Sequence, residues 1–176
     1  IYLTFDDGPS AGITPGILKI LKEENVKATF FVVGASSNLD YLIKEAYNDG
    51  HTIGLHTYTH NYKTVYSSVN GYFDDLTKIQ NRVYNITGNK SKIIRFPGGS
   101  SNTVSRNYYR GIMGILTNEV QNRGYQYFDW NVDSNDAGSA RTSLDVYNNV
   151  TRNLNSKSNI VLMHDFEGNT KTLNAL

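Results

Sequence analysis

The chain has 176 residues, 39% of them hydrophobic, and a formal net charge of +1. This length favours a single domain over residues 1–176 with one hydrophobic core. The absence of a dense Lys or Arg block argues against a nucleic-acid partner, and no apolar run reaches the roughly 20 residues of a membrane span. Because the chain contains no cysteine, any metal must bind to His and carboxylate side chains.

The N-terminal half alternates short β-rich runs with helical patterns. Strands are predicted at residues 1–5, 28–33 and 52–55. Thr14 is the predicted N-cap of the first helix, with Pro15 at its first position, and Asn38 is the predicted N-cap of the second, which stops at Gly50. Because the sequence opens directly on a strand, we expect the chain to be a fragment of a longer protein.

The second half continues this alternation. The longest helix carries apolar side chains at helical spacing from Tyr72 to Ile86, and Gly88 lies where a C-terminal cap belongs. A helix that begins near Tyr108 ends at Gly124, and another runs from Leu144 to Leu154. Further strands are predicted at residues 92–96, 125–130 and 160–163, and a last helix begins near residue 171. These assignments give six strands.

Alternating strands and helices are typical of βα units on a parallel sheet or barrel, which is an α/β fold. A regular eightfold barrel needs about 250 residues, so a distorted or incomplete (β/α) barrel fits this length. Reactive groups in such barrels follow the carboxyl ends of the strands. The side chains that follow this rule are Asp6, Asp7, His56, His60, Arg95, Asp133, Asp136 and His164. His51 instead lies at the start of its strand, and we expect it to be structural.

His56 and His60 are four residues apart, a spacing that lets both imidazoles reach one ion if the segment turns helically. Two surface or hydrogen-bonded histidines without a metal are the alternative. A metalloprotease is excluded, because that motif has Glu directly after the first His and this chain has Thr57.

The first strand ends on Asp6 and Asp7, which are followed by Gly8 and Pro9. Neighbouring side chains of a strand point in different directions, so one carboxylate can join the histidines on a metal while the other acts on water. A solvated turn capped by Asp is the alternative for an isolated Asp-Asp-Gly sequence. That alternative does not explain why the acidic and the histidine motifs occur together.

Five segments taken together resemble the ordered motifs of one family. They are TFDDGPS at 4–10, HTYTH at 56–60, RFPG at 95–98, DSND at 133–136 and LMH at 162–164. This set resembles the polysaccharide deacetylases of carbohydrate esterase family 4, the NodB-homology domain, over nearly the whole chain. The resemblance implies a distorted or incomplete barrel of seven or eight βα units, truncated in this chain.

The resemblance also implies a role for each matching residue. The metal ligands are Asp7, His56 and His60; the expected ion is zinc, although the same donors accept cobalt, nickel and manganese. Asp6 is the implied general base and His164 the implied general acid. Arg95 is expected to pair with Asp6, and Asp136 with His164.

Substrate contacts are expected at Gly98, Leu162 and Trp130. Leu162 lines the acetyl pocket in the family, and a backbone N–H near Gly98 donates to the oxyanion. Many members have Tyr where this chain has Gly98, and many have Trp where it has Ala137. The wall that the Trp provides is therefore absent, whereas the backbone donor remains. Trp130 is expected to stack on a sugar ring, with a position in the core as the alternative.

The expected activity is metal-dependent hydrolysis of N-acetyl groups on a polysaccharide. The preferred substrates are N-acetylglucosamine or N-acetylmuramic acid units of peptidoglycan, or chitin-like oligomers. An O-deacetylase of acetylated xylan and a non-catalytic glycan-binding module are the alternatives. The resemblance implies an extracellular or cell-wall-associated protein, and we expect a monomer whose partner is the acetylated glycan.

Overall fold

The computed structural model describes all 176 residues. It divides into two compact units that each combine separate stretches of the chain. The first unit comprises Ile1–Phe30, Ala35–Thr52 and Trp130–Leu176, and the second comprises Phe31–Gly34 and Ile53–Asp129. The prediction of a single domain over residues 1–176 stays a prediction.

Seven strands form one sheet in the order β5-β4-β3-β2-β1-β7-β6. The strands are β1 (Tyr2–Asp6), β2 (Thr29–Val32), β3 (Thr52–Leu55), β4 (Ile93–Ile94), β5 (Gln126–Tyr127), β6 (Val132–Asp133) and β7 (Ile160–His164). Neighbouring strands run parallel, and helices connect most of them. This architecture confirms the predicted incomplete (β/α) barrel.

Helices of the first unit are α1 (Thr14–Glu23), α2 (Asp40–Asn48), α6 (Ser143–Thr151) and α7 (Thr170–Leu173). Those of the second unit are α3 (Tyr62–Val65), α4 (Val69–Thr87) and α5 (Ile112–Asn122). Short 3₁₀ turns occur at Ser37–Leu39 and Val104–Asn107. None of these helices combines the length and the apolar character that a membrane span requires.

The first unit buries a cluster of aromatic rings that includes His51. In the first unit, Phe5 stacks on Phe30 with ring centroids 5.2 Å apart, and the His51 ring meets Phe30 edge-on. His51 is 4% exposed, and its Nδ1 accepts a hydrogen bond from the N–H of Ala28 at 3.1 Å. Burial lowers the pKa of His51, which favours the neutral ring that this acceptor role requires. The structural role predicted for His51 is confirmed.

The strand count predicted from the sequence was wrong, because seven strands are present rather than six. The run predicted as one strand at 125–130 contains only β5, and β6 follows it as a separate strand. β4 is likewise two residues long, where residues 92–96 were predicted. Two residues are too few to show an alternating pattern, so pairing with neighbouring strands defines these elements.

Two of the predicted N-caps were also wrong. Thr14 lies inside α1, and its hydroxyl accepts from the N–H of Ser10 and donates to Asp165, each at 2.7 Å. Asn38 lies in a 3₁₀ turn, and Leu39 is the residue before α2. The predicted cap of α4 is confirmed, since Gly88 ends that helix with a left-handed φ of 76°.

Candidate active site

The carboxyl ends of β1 and β7 bring together the polar groups of the first unit. Asp6 and His164 are register partners in these two parallel strands. Asp6 is 2% exposed. Asp7 has a left-handed φ of 74°, so the chain leaves the strand direction at this residue. The two carboxylates therefore belong to different backbone conformations, and Asp7 lies outside the strand whose alternation was expected to separate them. Their two different roles stay predictions.

Asp136 is the main hydrogen-bond partner of His164. Its Oδ1 lies 2.7 Å from Nδ1 of His164, and its Oδ2 accepts from the backbone N–H of His164 at 2.8 Å. The predicted contact is present. Oδ2 also accepts from the Asn169 amide at 2.9 Å and from the Thr172 hydroxyl. Sequence reasoning missed Asn169 and Thr172, which lie beyond the last motif and fix the orientation of the carboxylate.

These contacts set the protonation of the pair. Burial alone lowers the pKa of His164, but the hydrogen bond and charge of Asp136, with smaller contributions from Asp6 and Asp7, raise it above the ordinary value of 6.5. Burial raises the pKa of Asp136, and its hydrogen bonds to His164 and Thr172 outweigh this and hold it well below its usual range. The arrangement favours an imidazolium beside an ionised carboxylate.

Asp165 supports the segment that follows β1, at Gly8 to Thr14, and was not identified from the sequence. Its carboxylate accepts from the Thr14 hydroxyl at 2.7 Å and from the Ser10 hydroxyl at 3.3 Å. A Cβ on Gly8 would clash with Oδ2 of the buried Asp165 carboxylate, so only Gly fits there. Burial raises the pKa of Asp165 to about 7. The only sequence signal that could have identified Asp165 is its position directly after His164.

In the second unit, His56 and His60 face each other with ring centroids 4.8 Å apart. The helical turn expected between them is absent, because Thr57 and His60 adopt left-handed φ values of 64° and 49°. Asp75 of α4 holds this segment: one carboxylate oxygen accepts from the N–H groups of Tyr58 at 2.6 Å and Thr59 at 3.0 Å. Sequence reasoning missed Asp75, which looked like an ordinary helix residue.

Replacing Asp75 with Ala is expected to weaken both stability and metal binding. Asp75 is 1% exposed, and its loss leaves the half-buried N–H of Tyr58 without its acceptor, at a cost of about 1–3 kcal/mol in the free energy of unfolding. The N–H of Thr59, an exposed residue, can bind water instead. The histidine segment then loses its support, so metal affinity should fall by about 10- to 100-fold. Denaturant unfolding and metal titration measure the two effects. Asp74→Ala, at the exposed neighbouring position, is the control and should change neither.

Arg95 is fully buried in the second unit, directly after β4. Its Nε donates to the Phe128 carbonyl at 3.0 Å and its Nη2 to the Asp129 carbonyl at 3.3 Å. The guanidinium also lies over the Phe31 ring, 4.3 Å from the centroid. These contacts give the side chain one orientation. Its pairing with Asp6 stays a prediction.

The predicted substrate contacts have different surroundings. Gly98 is exposed and has a left-handed φ of 76°. Leu162 is 4% exposed on β7, Trp130 is half-buried just before β6, and Ala137 is exposed. Asp133, which also follows a strand, is exposed, and its carboxylate accepts from the N–H of Asn135 at 2.7 Å, so it caps a turn. The roles of Gly98, Leu162 and Trp130 stay predictions.

The donor groups of Asp7, His56 and His60 form one cluster, in which the ligand atoms lie within 4.8 Å of one another. His56 Nδ1 lies 2.8 Å from the Arg95 carbonyl oxygen, which can only accept, so Nδ1 carries the proton and Nε2 keeps its lone pair. One carboxylate and two imidazoles, of which His56 has a fixed tautomer, match the ligands of a divalent transition metal. The residues therefore fit a metal site.

Comparison with known proteins agrees with the sequence motifs. A family model described as "Polysaccharide deacetylase" matches residues 1–112. A peptidoglycan-N-acetylglucosamine deacetylase of Bacillus cereus is 34% identical over 171 residues, covering 93% of this chain and 59% of that protein. A chitin deacetylase of Colletotrichum lindemuthianum is 32% identical over 183 residues, covering 97% of this chain and 68% of that protein.

A solved structure gives the same result. The catalytic domain of peptidoglycan N-acetylglucosamine deacetylase from Eubacterium rectale ATCC 33656 superposes with a TM-score of 0.93 at 43% identity, covering 99% of this chain and 80% of that one. The chain spans 60% and 59% of the lengths of two Bacillus relatives that it matches. On the family match, the sequence identity and the shared fold, the chain belongs to the polysaccharide deacetylase family.

Proposed function

We propose that this protein is a metal-dependent polysaccharide N-deacetylase. The observation that carries the proposal is the arrangement at the ends of β1 and β7, where Asp6 and His164 are in register and Asp136 hydrogen-bonds to His164 and raises its pKa. A carboxylate base beside a cationic acid suits hydrolysis of an amide, in which one proton leaves water and another reaches the amine.

Asp7, His56 and His60 would hold a divalent ion in this enzyme. Zinc is the proposed ion, because two imidazole nitrogens and one carboxylate oxygen are among its usual ligands, although cobalt, nickel and manganese accept the same donors. When bound, such an ion polarises the acetyl carbonyl and lowers the pKa of a water molecule.

The residues of the chain itself carry the proton transfers. Asp6 accepts a proton from the attacking water, and His164 donates one to the amine as the carbon–nitrogen bond breaks. The products are acetate and a free amino sugar. Asp136 orients the His164 ring through Nδ1, which leaves Nε2 as the donor towards substrate. A backbone N–H near Gly98 donates to the oxyanion.

The peptidoglycan-N-acetylglucosamine deacetylases named above support peptidoglycan as the substrate, where the proposed sites are N-acetylglucosamine or N-acetylmuramic acid units, and the chitin deacetylase supports chitin-like oligomers as the second choice. An O-deacetylase of acetylated xylan is the alternative within the same chemistry. An amine is a poorer leaving group than an alcohol and depends more on a proton donor, so the His164–Asp136 pair favours the N-acetyl substrate. A non-catalytic glycan-binding module has no need for this pair.

Acetate release from purified peptidoglycan, chitin oligomers and acetylxylan, measured side by side with each added metal, tests the proposal. We expect release from at least one N-acetylated glycan and dependence on the metal. Release from acetylxylan alone would favour the O-deacetylase, and glycan binding without any release would favour the binding module. We further propose an extracellular or cell-wall-associated monomer, which size-exclusion chromatography and cell fractionation would check.

The exposed Ala137 leads to a prediction about acyl specificity. If no other side chain replaces the missing wall, a propionyl group should enter the acetyl pocket beside Leu162. A closed hydrophobic pocket discriminates by about 10- to 200-fold for one methylene group, and we expect less than about tenfold here. The measurement is kcat/KM on matched N-acetyl and N-propionyl chito-oligosaccharides.

Ala137→Trp is the matched comparison for that measurement, and it should reject the propionyl substrate more strongly than the parent enzyme does. Strong rejection by the parent itself would show that another side chain already closes the pocket.

A further inference from the structure

Tyr62 lies in a row of aromatic rings in the second unit, between His60 and Tyr66, and is half-buried. Its ring meets the His60 ring edge-on, with centroids 5.8 Å apart, and the Tyr66 ring at 5.6 Å. Tyr66 and the next ring of the row, Tyr72, are fully buried, whereas Tyr62 is half-buried. Two ring contacts therefore hold Tyr62 in place while part of its side chain stays accessible.

The hydroxyl of Tyr62 occupies the space next to Gly98. A Cβ built on Gly98 would lie 2.6 Å from this oxygen and 3.2 Å from Cβ of Asn102. The first distance is shorter than any real Cβ contact, and Gly98 also has a left-handed φ of 76°. Both observations explain why residue 98 is glycine. The Tyr62 hydroxyl occupies the space that the side chain of a larger residue at position 98 would need.

Hydrogen bonds from several other residues stabilise the turn at Gly98. The Tyr66 hydroxyl donates to the Pro97 carbonyl at 2.8 Å, and the Asn102 amide donates to the Gly99 carbonyl at 2.9 Å. The Gly99 N–H donates to the Phe96 carbonyl at 2.8 Å. Removing the Tyr62 hydroxyl keeps these three hydrogen bonds.

We propose that Tyr62 is a substrate-positioning residue whose hydroxyl hydrogen-bonds to the sugar unit that carries the N-acetyl group being hydrolysed. The inference rests on the proposed function and names one side chain that recognises the sugar. A phenol both donates and accepts, which suits the hydroxyl and acetamido groups of an amino sugar. Because neighbouring rings already hold Tyr62, little conformational entropy is lost when the sugar binds.

Tyr62→Phe tests this role, because it keeps the ring against His60 and removes only the hydroxyl. The assay measures kcat and KM on tetra-N-acetyl chitotetraose and on 4-nitrophenyl acetate, which carries no sugar. We expect kcat/KM on the sugar to fall by about 3- to 10-fold, mainly through KM, as the loss of one neutral hydrogen bond predicts. Activity on the aryl acetate and the bound zinc should not change. Tyr41→Phe, an exposed hydroxyl on α2, is the control and should match the parent.

Equal losses on both substrates, or a loss of zinc, would overturn the proposal and make Tyr62 a support for His60. An unchanged kcat/KM on the sugar would overturn it as well. If the parent enzyme releases no acetate from any glycan, the proposed function fails, and calorimetric binding of the intact tetrasaccharide decides the inference. Weaker binding by Tyr62→Phe, about 3- to 10-fold, supports it; equal binding, or none by the parent, overturns it.

Discussion

Changing any one of Asp7, His56 and His60 to Ala is expected to abolish stoichiometric zinc binding and acetate release together. Their ligand atoms lie within 4.8 Å of one another, and three protein ligands are the usual number in a catalytic zinc site. Removing one leaves two, too few to hold the ion against competition from water and buffer. Metal analysis after dialysis and an acetate assay measure the two losses.

Asp6→Asn is the informative comparison for these variants. It preserves the shape of the side chain but removes the proposed base, so zinc should stay bound while turnover falls by about 10²- to 10⁴-fold. His51→Gln controls for the loss of a buried imidazole outside the cluster, and it should retain zinc. Tight zinc binding by His60→Ala would contradict the ligand assignment. Loss of zinc from Asp6→Asn would exchange the roles of Asp6 and Asp7.

His164→Ala is expected to lower N-deacetylation by about 10²- to 10⁴-fold, the usual contribution of a general acid. Hydrolysis of an aryl acetate should be spared, because its phenolate leaves without a proton. The two substrates are compared with the same enzyme preparation. Equal losses on both would show that His164 does something other than protonate the leaving group.

The pH dependence of kcat/KM follows from the same contacts. His164 must be protonated to act as the acid, so kcat/KM falls as the pH rises through its pKa and gives the profile an alkaline limb. The Asp136 contacts raise the pKa of His164 above the ordinary value of 6.5, so this limb should lie above that pH. Asp136→Asn removes the charge that raises the pKa, so the alkaline limb should move to lower pH. An alkaline limb that stays in place in Asp136→Asn, or that persists in His164→Ala, would assign it to another group.

The sequence by itself predicted the metal-ligand, base and acid candidates of the site, because their positions depend on local patterns. The apolar runs that became β3 and β7 are four and five residues long, enough to show where each strand ends and which polar residues follow. His56 and His164 were located in this way. The helical spacing and terminal glycine of α4 were equally local signals.

Only the tertiary structure decided how those groups are held. His56 and His60 come together through left-handed residues rather than a helical turn, and Asp75, 17 residues from Tyr58, stabilises that backbone. The side chains that bind Asp136 are likewise 28 to 36 residues distant along the chain, and Tyr62 is 36 residues from Gly98. Such contacts depend on which elements pack together, and the spacing of residues within one element contains no information about them.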